Sequence, residues 1–155
     1  MKKQKVKDTY FDVSQNSFQD SFGNLLWQAA SKWRRFVENA LSPLDLTHPQ
    51  ILLLTCIDEL TADGTDVTQA ELARYANLDI TMTSQIIRTL EQKGLIERRQ
   101  RPGDVRSKFP HLTRLGIQLV NQAQPVLEEV DSTFFSNLRS DTKKCLDILH
   151  KLGSN

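Results

Sequence analysis

Residues 68–112 place two short helical patterns directly before a two-stranded pattern, and few folds accommodate that order. Thr68 and Glu71 have the spacing of a capping box, in which each side chain bonds the backbone N–H of the other residue. A short helix is therefore predicted to begin at this point. Residues 77–79, Asn-Leu-Asp, break the helix and predict a tight turn into a second one.

The second helix is predicted from about Thr81 to Lys93, with Gly94 suited to its C-terminal cap. Residues 95–100 and 107–112 are typical of two strands on either side of a Pro-Gly turn, which predicts a β-hairpin. A short helix, a tight turn and a second helix together form a helix-turn-helix. The hairpin that follows would be its wing.

Longer helical patterns flank this lobe on both sides. Apolar residues recur at three- and four-residue spacing over residues 17–41, 48–60, 119–138 and 141–152, which predicts amphipathic helices. Pro125 lies inside one of them and is expected to kink or interrupt it. The predicted fold class is mainly α with a small β-hairpin wing: a winged helix-turn-helix lobe plus long terminal helices.

The terminal helices carry more apolar surface than one small lobe can cover. Trp27 and Ala30 lie beside the main apolar stripe of the first helix, and Phe134 is followed directly by Phe135. Exposed apolar surface of this kind usually marks an interface, so we expect a homodimer. The chain is expected to be a single domain, with dimerisation helices at 1–41 and 114–155 and the winged lobe at 42–113.

The second helix of the lobe has two contrasting faces. The face predicted to pack inward consists of Thr83, Ile86, Ile87 and Leu90. The opposite face consists of Thr81, Ser84, Gln85 and Arg88. Hydroxyl, amide and guanidinium groups are those that reach base edges and phosphates in a DNA major groove. The free amides at the start of this helix are also expected to favour a phosphate. The alternative is an ordinary solvated face.

The net charge is only +1, but the charges are unevenly distributed. Residues 42–80 carry seven acidic residues and one arginine, whereas residues 81–114 carry eight basic and three acidic residues. Five of these cations fall within eleven residues of the hairpin: Arg98, Arg99, Arg101, Arg106 and Lys108. A basic hairpin can contact phosphates or a minor groove. Asp104 lies two residues before Arg106 and is placed to orient its guanidinium.

Five motifs, in this order and spacing, resemble the MarR family of bacterial transcriptional regulators. They are Leu-Thr-His-Pro-Gln at 46–50, Gln-Ala-Glu-Leu-Ala at 69–73, Leu-Glu-Gln-Lys-Gly-Leu-Ile-Glu-Arg at 90–98, an Asp-x-Arg wing turn within 103–107, and Leu-Thr-x-x-Gly at 112–116. Many winged helices share one of these motifs, but the combination is fairly specific. The resemblance covers roughly residues 17–150.

The resemblance implies a homodimer with intertwined terminal helices, whose two lobes bind a near-palindromic DNA operator. It also implies a response to a small phenolic or other lipophilic ligand, or to an oxidant. The positions that match the family's recognition helix are Thr81, Ser84, Gln85 and Arg88. Arg106 and Asp104 match the wing tip, and Arg101 and Lys108 complete the expected DNA-binding residues. Pro110 departs from the family pattern and, lacking a backbone donor, is expected to shorten or disturb the returning strand.

Candidates for an effector pocket near the dimer junction are Phe22, Trp27, Trp33 and His48, with ordinary packing or helix capping as the simpler interpretation. Cys145, which follows two lysines, and Cys56, on an apolar face, are candidates for oxidant sensing, with a structural role as the simpler interpretation. Two further functions stay open. One is a winged-helix module that binds a protein, and the other is a ligand-binding protein whose DNA lobe is vestigial.

Other classes of protein have little support. The sequence contains no nucleophile elbow, glycine-rich phosphate loop or recognisable carboxylate pair, so we expect neither an enzyme nor a cofactor. The histidines and cysteines are too scattered for a metal site. The longest apolar run, at 51–54, is too short to span a membrane. With no signal peptide and only two cysteines, the expected location is the cytoplasm.

Overall fold

The fold is that of a computed structural model, which describes residues 18–101 and 104–154, with side chains at 19–100 and 108–154. The elements in chain order are α1 (Phe22–Leu41), α2 (His48–Thr61), α3 (Gln69–Tyr75), α4 (Ile80–Gln92), β1 (Ile96–Arg101), β2 (Asp104–Leu112), α5 (Arg114–Phe135) and α6 (Thr142–Gly153). Short 3-10 helices occupy Phe18–Asp20, Ser42–Leu44 and Ser136–Asp141. Among the described helices, none combines the length and apolar character that a membrane span requires.

The chain divides into two compact units, residues 1–35 and residues 36–155. The boundary falls within α1, so this helix contributes residues to both units. The described part of the first unit is helical from Phe18 onward apart from a bend at Ser21. The second unit contains the remaining helices and the hairpin, as the order predicted from the sequence requires.

The predicted capping box at the start of α3 is confirmed. The backbone N–H of Glu71 donates to Thr68 Oγ1 at 3.2 Å, and the backbone N–H of Thr68 donates to Glu71 Oε2 at 2.7 Å. These two bonds satisfy amides that the first turn of a helix leaves without a backbone partner. They let a helix of only seven residues begin at a defined position.

The core of the second unit is formed by apolar side chains from α2 to α5 and the base of the hairpin. Its buried members include Leu53, Leu54, Ile57, Leu72, Ile87, Leu90, Ile96, Phe109, Val120 and Ala123. Burying each large aliphatic side chain contributes about 1.5–3 kcal/mol relative to exposure. Because α4 supplies Ile87 and Leu90 to this core, its orientation in the lobe is fixed by packing.

The returning strand is not disturbed at its proline, so that expectation is wrong. The strand β2 pairs with β1 in antiparallel register, with Ile96 opposite Leu112 and Arg98 opposite Pro110. In a sheet of two strands each strand has an open edge, where a missing N–H breaks no ladder bond. The described strand is in fact longer than predicted, because it begins at Asp104 rather than near residue 107.

The helix α5 continues through Pro125, so the expected interruption is absent from this helix. Pro125 is exposed, and buried side chains before and after it, Ala123 and Val130, keep the helix packed against the lobe. The backbone changes direction later, at Arg139, whose φ of 45° and ψ of −114° are not helical. The break that separates α5 from α6 therefore lies fourteen residues after the proline.

Candidate nucleic-acid interface

The helix α4 has the two faces that its sequence pattern predicts. Thr83, Ile87 and Leu90 are buried against the rest of the lobe, and Ile86 is half-buried. The hydroxyl of Thr83 donates to the backbone carbonyl of Asp79 at 2.8 Å, so this buried polar group has a partner inside the helix. The polar face of α4 consequently points away from the core.

Solvent reaches a polar stripe along the outer face of α4. Thr81, Gln85 and Arg88 are exposed, and Ser84 is half-buried at the edge of the stripe. Gln92 continues the stripe one turn beyond Arg88 and was missed in the sequence analysis, although its spacing from Arg88 follows the same helical period. The stripe offers hydroxyl, amide and guanidinium groups to a partner approaching this face.

The amides at the start of α4 are not free, so the expected phosphate site there is wrong. Asp79 Oδ1 accepts hydrogen bonds from the backbone N–H of Thr81 at 2.8 Å and of Met82 at 3.0 Å. The carboxylate thus occupies the donors that a phosphate would need, and it adds negative charge to the positive end of the helix dipole. Any phosphate contact by this lobe has to come from side chains or from other amides.

A tight turn connects α3 to α4. Asn77 adopts a left-handed conformation with φ of 51°, which asparagine tolerates better than most residues. The backbone N–H of Leu78 donates to the carbonyl of Ala73 at 2.8 Å and closes the end of α3. Leu72 and Ala73 are buried on the inner side of α3. The two helices therefore form the predicted helix-turn-helix.

The C-terminal end of α4 is tied to the loop between α1 and α2. Lys93 Nζ lies 2.9 Å from Asp45 Oδ2 and also donates to the backbone carbonyl of Asp45. Asp45 has a left-handed backbone, which turns its carbonyl and carboxylate toward the lysine. Packing, the N-terminal cap and this ion pair together hold α4 along its whole length.

Two arginines of the hairpin are paired with carboxylates of the same chain. Arg98 Nε lies 2.9 Å from Glu91 Oε2 on α4, a contact that is ionic rather than a well-directed hydrogen bond. Arg99 Nη2 lies 2.7 Å from Glu97 Oε1 on the same strand. Lys108 is exposed. The sequence analysis counted five cations available to DNA on this hairpin, and two of them have internal partners.

The tip of the wing includes three of the predicted DNA-binding residues, Arg101, Asp104 and Arg106. Their side chains lie outside the described residues, so their roles stay predictions. The backbone pairs residue 101 with residue 104, which makes the connection between the strands short. A shift in register between Arg99 and Arg101 marks a bulge near the tip.

The base of the wing is held by short contacts to the lobe. Thr113 Oγ1 donates to the carbonyl of Gly94 at 2.7 Å, and the backbone N–H of Thr113 donates to the carbonyl of Leu95 at 3.0 Å. His111 Nε2 lies 2.7 Å from Asp66 Oδ1 in the loop between α2 and α3. The sequence analysis missed this last pair, because its members are 45 residues apart and belong to no shared motif.

The residues predicted to line an effector pocket differ in exposure. Phe22 and Trp27 are exposed, whereas Trp33 and His48 are partly buried. His48 is the first residue of α2, as expected for a residue near a helix cap. Their assignment to a pocket stays a prediction. One cavity of about 580 Å³ lies between the end of α5 and α6, and its lining includes Phe135, Arg139, Cys145, Leu146 and Leu149.

The two cysteines have different surroundings. Cys56 is buried in α2, and burial together with the charge of Glu59 raises the pKa of its thiol. A raised pKa leaves less of the reactive thiolate at neutral pH. Cys145 is partly exposed on α6. Of the two, Cys145 is the more accessible to an oxidant.

Comparison with known proteins gives a consistent result. A family model described as the MarR family matches residues 46–108, which include α2, α3, α4 and most of the hairpin. The HTH-type transcriptional regulator YdcH of Bacillus subtilis is 45% identical over 114 residues, covering 74% of this chain and 78% of YdcH. The HTH-type transcriptional repressor Rv2887 of Mycobacterium tuberculosis is 30% identical over 134 residues, covering 86% of this chain and 94% of the repressor.

Solved structures of Rv2887 superpose on this chain. Its complex with salicylic acid gives a TM-score of 0.67 at 28% identity and covers 90% of this chain and 99% of that one. Its complex with DNA gives a TM-score of 0.65 at 29% identity and covers 86% of this chain and 98% of that one. The matched region includes the helix-turn-helix and the hairpin described above.

Proposed function

The chain belongs to the MarR family of helix-turn-helix transcriptional regulators, and from this premise we propose that it is a ligand-responsive repressor that binds a near-palindromic operator as a homodimer. The observation that carries the proposal is the polar stripe of α4, formed by Thr81, Gln85 and Arg88. Its groups suit base edges and phosphates, and the buried opposite face holds the stripe in place. The role is regulatory rather than enzymatic, and an operator on the bacterial chromosome places the protein in the cytoplasm.

The DNA contacts are divided between α4 and the wing. In each protomer α4 enters a major groove, where Gln85 and Arg88 contact base edges, with Thr81 and Ser84 beside them. The wing contacts the backbone or minor groove through Arg106, which Asp104 orients, and through the cations at 101 and 108. Successive major grooves lie one helical turn apart, about 34 Å, so the half-sites are about 10 base pairs apart from centre to centre.

The homodimer is supported by apolar side chains that the single chain leaves exposed. In the first unit these are Phe22, Leu25, Leu26 and Trp27 on α1. In the second unit they include Leu146, Ile148, Leu149 and Leu152 on α6. Apolar surface on terminal helices supports the proposal that residues 1–41 and 114–155 form the dimer and that residues 42–113 bind DNA.

The effector is proposed to be a small phenolic or other lipophilic molecule. This part of the proposal is supported by the complex of the related repressor Rv2887 with salicylic acid. Phe22, Trp27, Trp33 and His48 are the residues proposed to contact it. An effector that favours a lobe spacing unsuited to the operator would release the DNA, because a ligand shifts an equilibrium by its different affinity for the two states.

The proposal is tested by titrating two fluorescent duplexes with the protein and measuring anisotropy at two salt concentrations. One duplex carries the DNA upstream of the protein's own gene, and the other carries its scrambled sequence. We expect preferential binding to the upstream duplex, with affinity that falls steeply as salt rises. If neither this duplex nor duplexes selected from a random pool bind preferentially, the protein does not read DNA, and a protein partner becomes the better interpretation.

Variants of the two elements separate base contacts from phosphate contacts. Gln85→Ala and Arg88→Ala are expected to lower the ratio of operator affinity to random-DNA affinity, at a cost of about 1–3 kcal/mol for each base interaction removed. Gln118→Ala, an exposed position on α5, is the matched control for Gln85→Ala. Arg106→Ala is expected to weaken all sequences about equally and to lower the salt slope by about one unit. An unchanged ratio for the α4 variants would remove both residues from base recognition.

A further inference from the structure

The two faces of the hairpin are held to different parts of the lobe. Neighbouring residues of a strand point to opposite faces, so Arg98 lies on one face of the hairpin and the cross-strand pair of Glu97 and His111 lies on the other. Arg98 is joined to Glu91 on α4. His111 is joined to Asp66 in the loop between α2 and α3. The base of the wing is therefore fixed by an acid–base contact on each face.

The contact between Asp66 and His111 lies in a largely buried setting. The side chain of His111 is 11% exposed and that of Asp66 is 23% exposed. The adjacent core residues Val67 and Phe109 are 6% and 5% exposed. A buried imidazole needs a hydrogen-bond partner, and at 2.7 Å the carboxylate provides one in a single direction. Apolar packing alone would leave the hairpin freer to tilt.

A small tilt at this point has a large effect at the tip. Seven residue steps separate His111 from Asp104, which at about 3.3 Å per residue is about 23 Å of strand. A rotation of about 10° at the base would move the tip by about 4 Å, more than the length of a hydrogen bond. The position of the wing tip is therefore sensitive to the contact that fixes the base.

We propose that Asp66 and His111 are positioning residues for the wing, and that their contact holds the wing tip where its cations meet the DNA backbone. The inference rests on the proposed function, because it concerns how the wing of a DNA-binding lobe is aimed. It goes beyond that function in assigning a role in DNA binding to two residues of the lobe that do not themselves touch DNA. Neither residue belongs to the polar stripe of α4 or to the tip of the wing.

The test compares variants of this pair in operator titrations over a range of salt concentrations. Asp66→Ala and His111→Phe are expected to weaken binding about tenfold and to lower the salt slope by about one unit, as removal of a wing phosphate interaction does. Their ratio of operator affinity to random-DNA affinity is expected to stay that of the parent, because α4 is unmoved. His111→Gln, whose amide nitrogen can take the place of Nε2, is expected to restore most of the affinity.

Asp63→Ala is the matched control. Asp63 lies in the same loop and carries the same charge, but its Oδ1 accepts from the backbone N–H of Thr65 at 2.9 Å within the loop and not from the hairpin. Removing this carboxylate changes the local charge as Asp66→Ala does without releasing the wing. Equal effects of Asp63→Ala and Asp66→Ala on the salt slope would overturn the proposal, because charge alone would then explain them.

A double-mutant cycle identifies the element through which Asp66 acts. If Asp66 positions the wing, Asp66→Ala adds little to Arg106→Ala, because the phosphate interaction that Asp66 supports is then already absent. If the two effects multiply, Asp66 acts elsewhere and the proposal is wrong. A parent protein that binds the operator while Asp66→Ala and Asp66→Asn keep the parent salt slope would overturn this inference alone. A parent protein that binds no DNA would overturn the proposed function, and this inference with it. Thermal melting of each variant confirms that the lobe is folded.

Discussion

Replacing Gly116 with alanine is expected to destabilise the fold strongly, for a reason that is visible in the backbone. Gly116 lies in the first turn of α5, where its N–H donates to Thr113 Oγ1 at 3.0 Å. A Cβ atom at this position would lie 2.1 Å from the carbonyl oxygen of Leu95 and 3.1 Å from its carbonyl carbon. Real Cβ atoms do not approach other atoms closer than 3.0 Å, and a carbonyl cannot rotate away as a side chain can.

The expected cost follows from the movement that would relieve the clash. The start of α5 would have to withdraw by about 1 Å, a shift that strains the packing around it at a cost of about 1–3 kcal/mol. The same withdrawal would stretch the bonds from Thr113 to the carbonyls of Leu95 and Gly94, each contributing about 1 kcal/mol net. Alanine recovers up to about 1 kcal/mol through its higher helix propensity. The balance is a loss of about 3 kcal/mol.

The assay is urea denaturation followed by circular dichroism, with the protomer concentration held fixed because the stability of a dimer depends on it. In thermal melting the same loss corresponds to a fall in Tm of about 6–12 °C for a chain of this size. Gly23→Ala is the matched control: Gly23 also lies in a helix, and no atom lies within 4 Å of its added Cβ. This control is expected to be neutral or slightly stabilising. Equal stabilities of Gly116→Ala and the parent would refute the reasoning.

Three further outcomes are expected from the described contacts. Asp79→Ala is expected to lower the free energy of unfolding by about 1 kcal/mol in urea denaturation, whereas Asp79→Ser keeps a cap and stays within a few tenths, so equal losses would contradict the capping role. Thr83→Val is expected to cost about 1 kcal/mol by the same measurement, through loss of its buried hydrogen bond, and a gain in stability would contradict this. At neutral pH an alkylating reagent is expected to modify Cys145 before Cys56, because burial raises the pKa of the Cys56 thiol; peptide mass spectrometry with the order reversed would contradict this.

The parts of the fold that depend on neighbouring residues could be predicted from the sequence. The capping box of Thr68 and Glu71 lies within one helical turn, so its spacing alone locates the start of α3. The inward face of α4 is defined by a helical period, and burial of Ile87 and Leu90 follows from it. The chain turns where Gly94 takes a positive φ of 69°. Each of these features needs only a few consecutive residues.

The features that the sequence did not reveal depend on contacts between distant parts of the chain. The proline at 110 is harmless because β2 has an open edge, which is a property of the assembled sheet rather than of the dipeptide. Asp66 and His111 meet across 45 residues, and no pattern within either segment identifies the other. The occupied amides of α4 are an intermediate case. Asp79 immediately precedes the helix, so its role as N-cap was available from residue type and position.

The internal ion pairs of the hairpin set a measurable limit on its contribution to DNA binding. Counting every hairpin cation together with Arg88 gives six phosphate contacts in each protomer and, at about 0.9 per contact, a salt slope of about −11 for a dimer. Leaving out Arg98 and Arg99, which Glu91 and Glu97 already neutralise, gives four contacts in each protomer and a slope of about −7. The pair of Arg98 is the more buried, whereas that of Arg99 is exposed and therefore weak, so Arg99 is the first that DNA could release. A slope near −11 would mean that both internal pairs open when DNA binds, and that the hairpin is not held at its base by Glu91 in the complex.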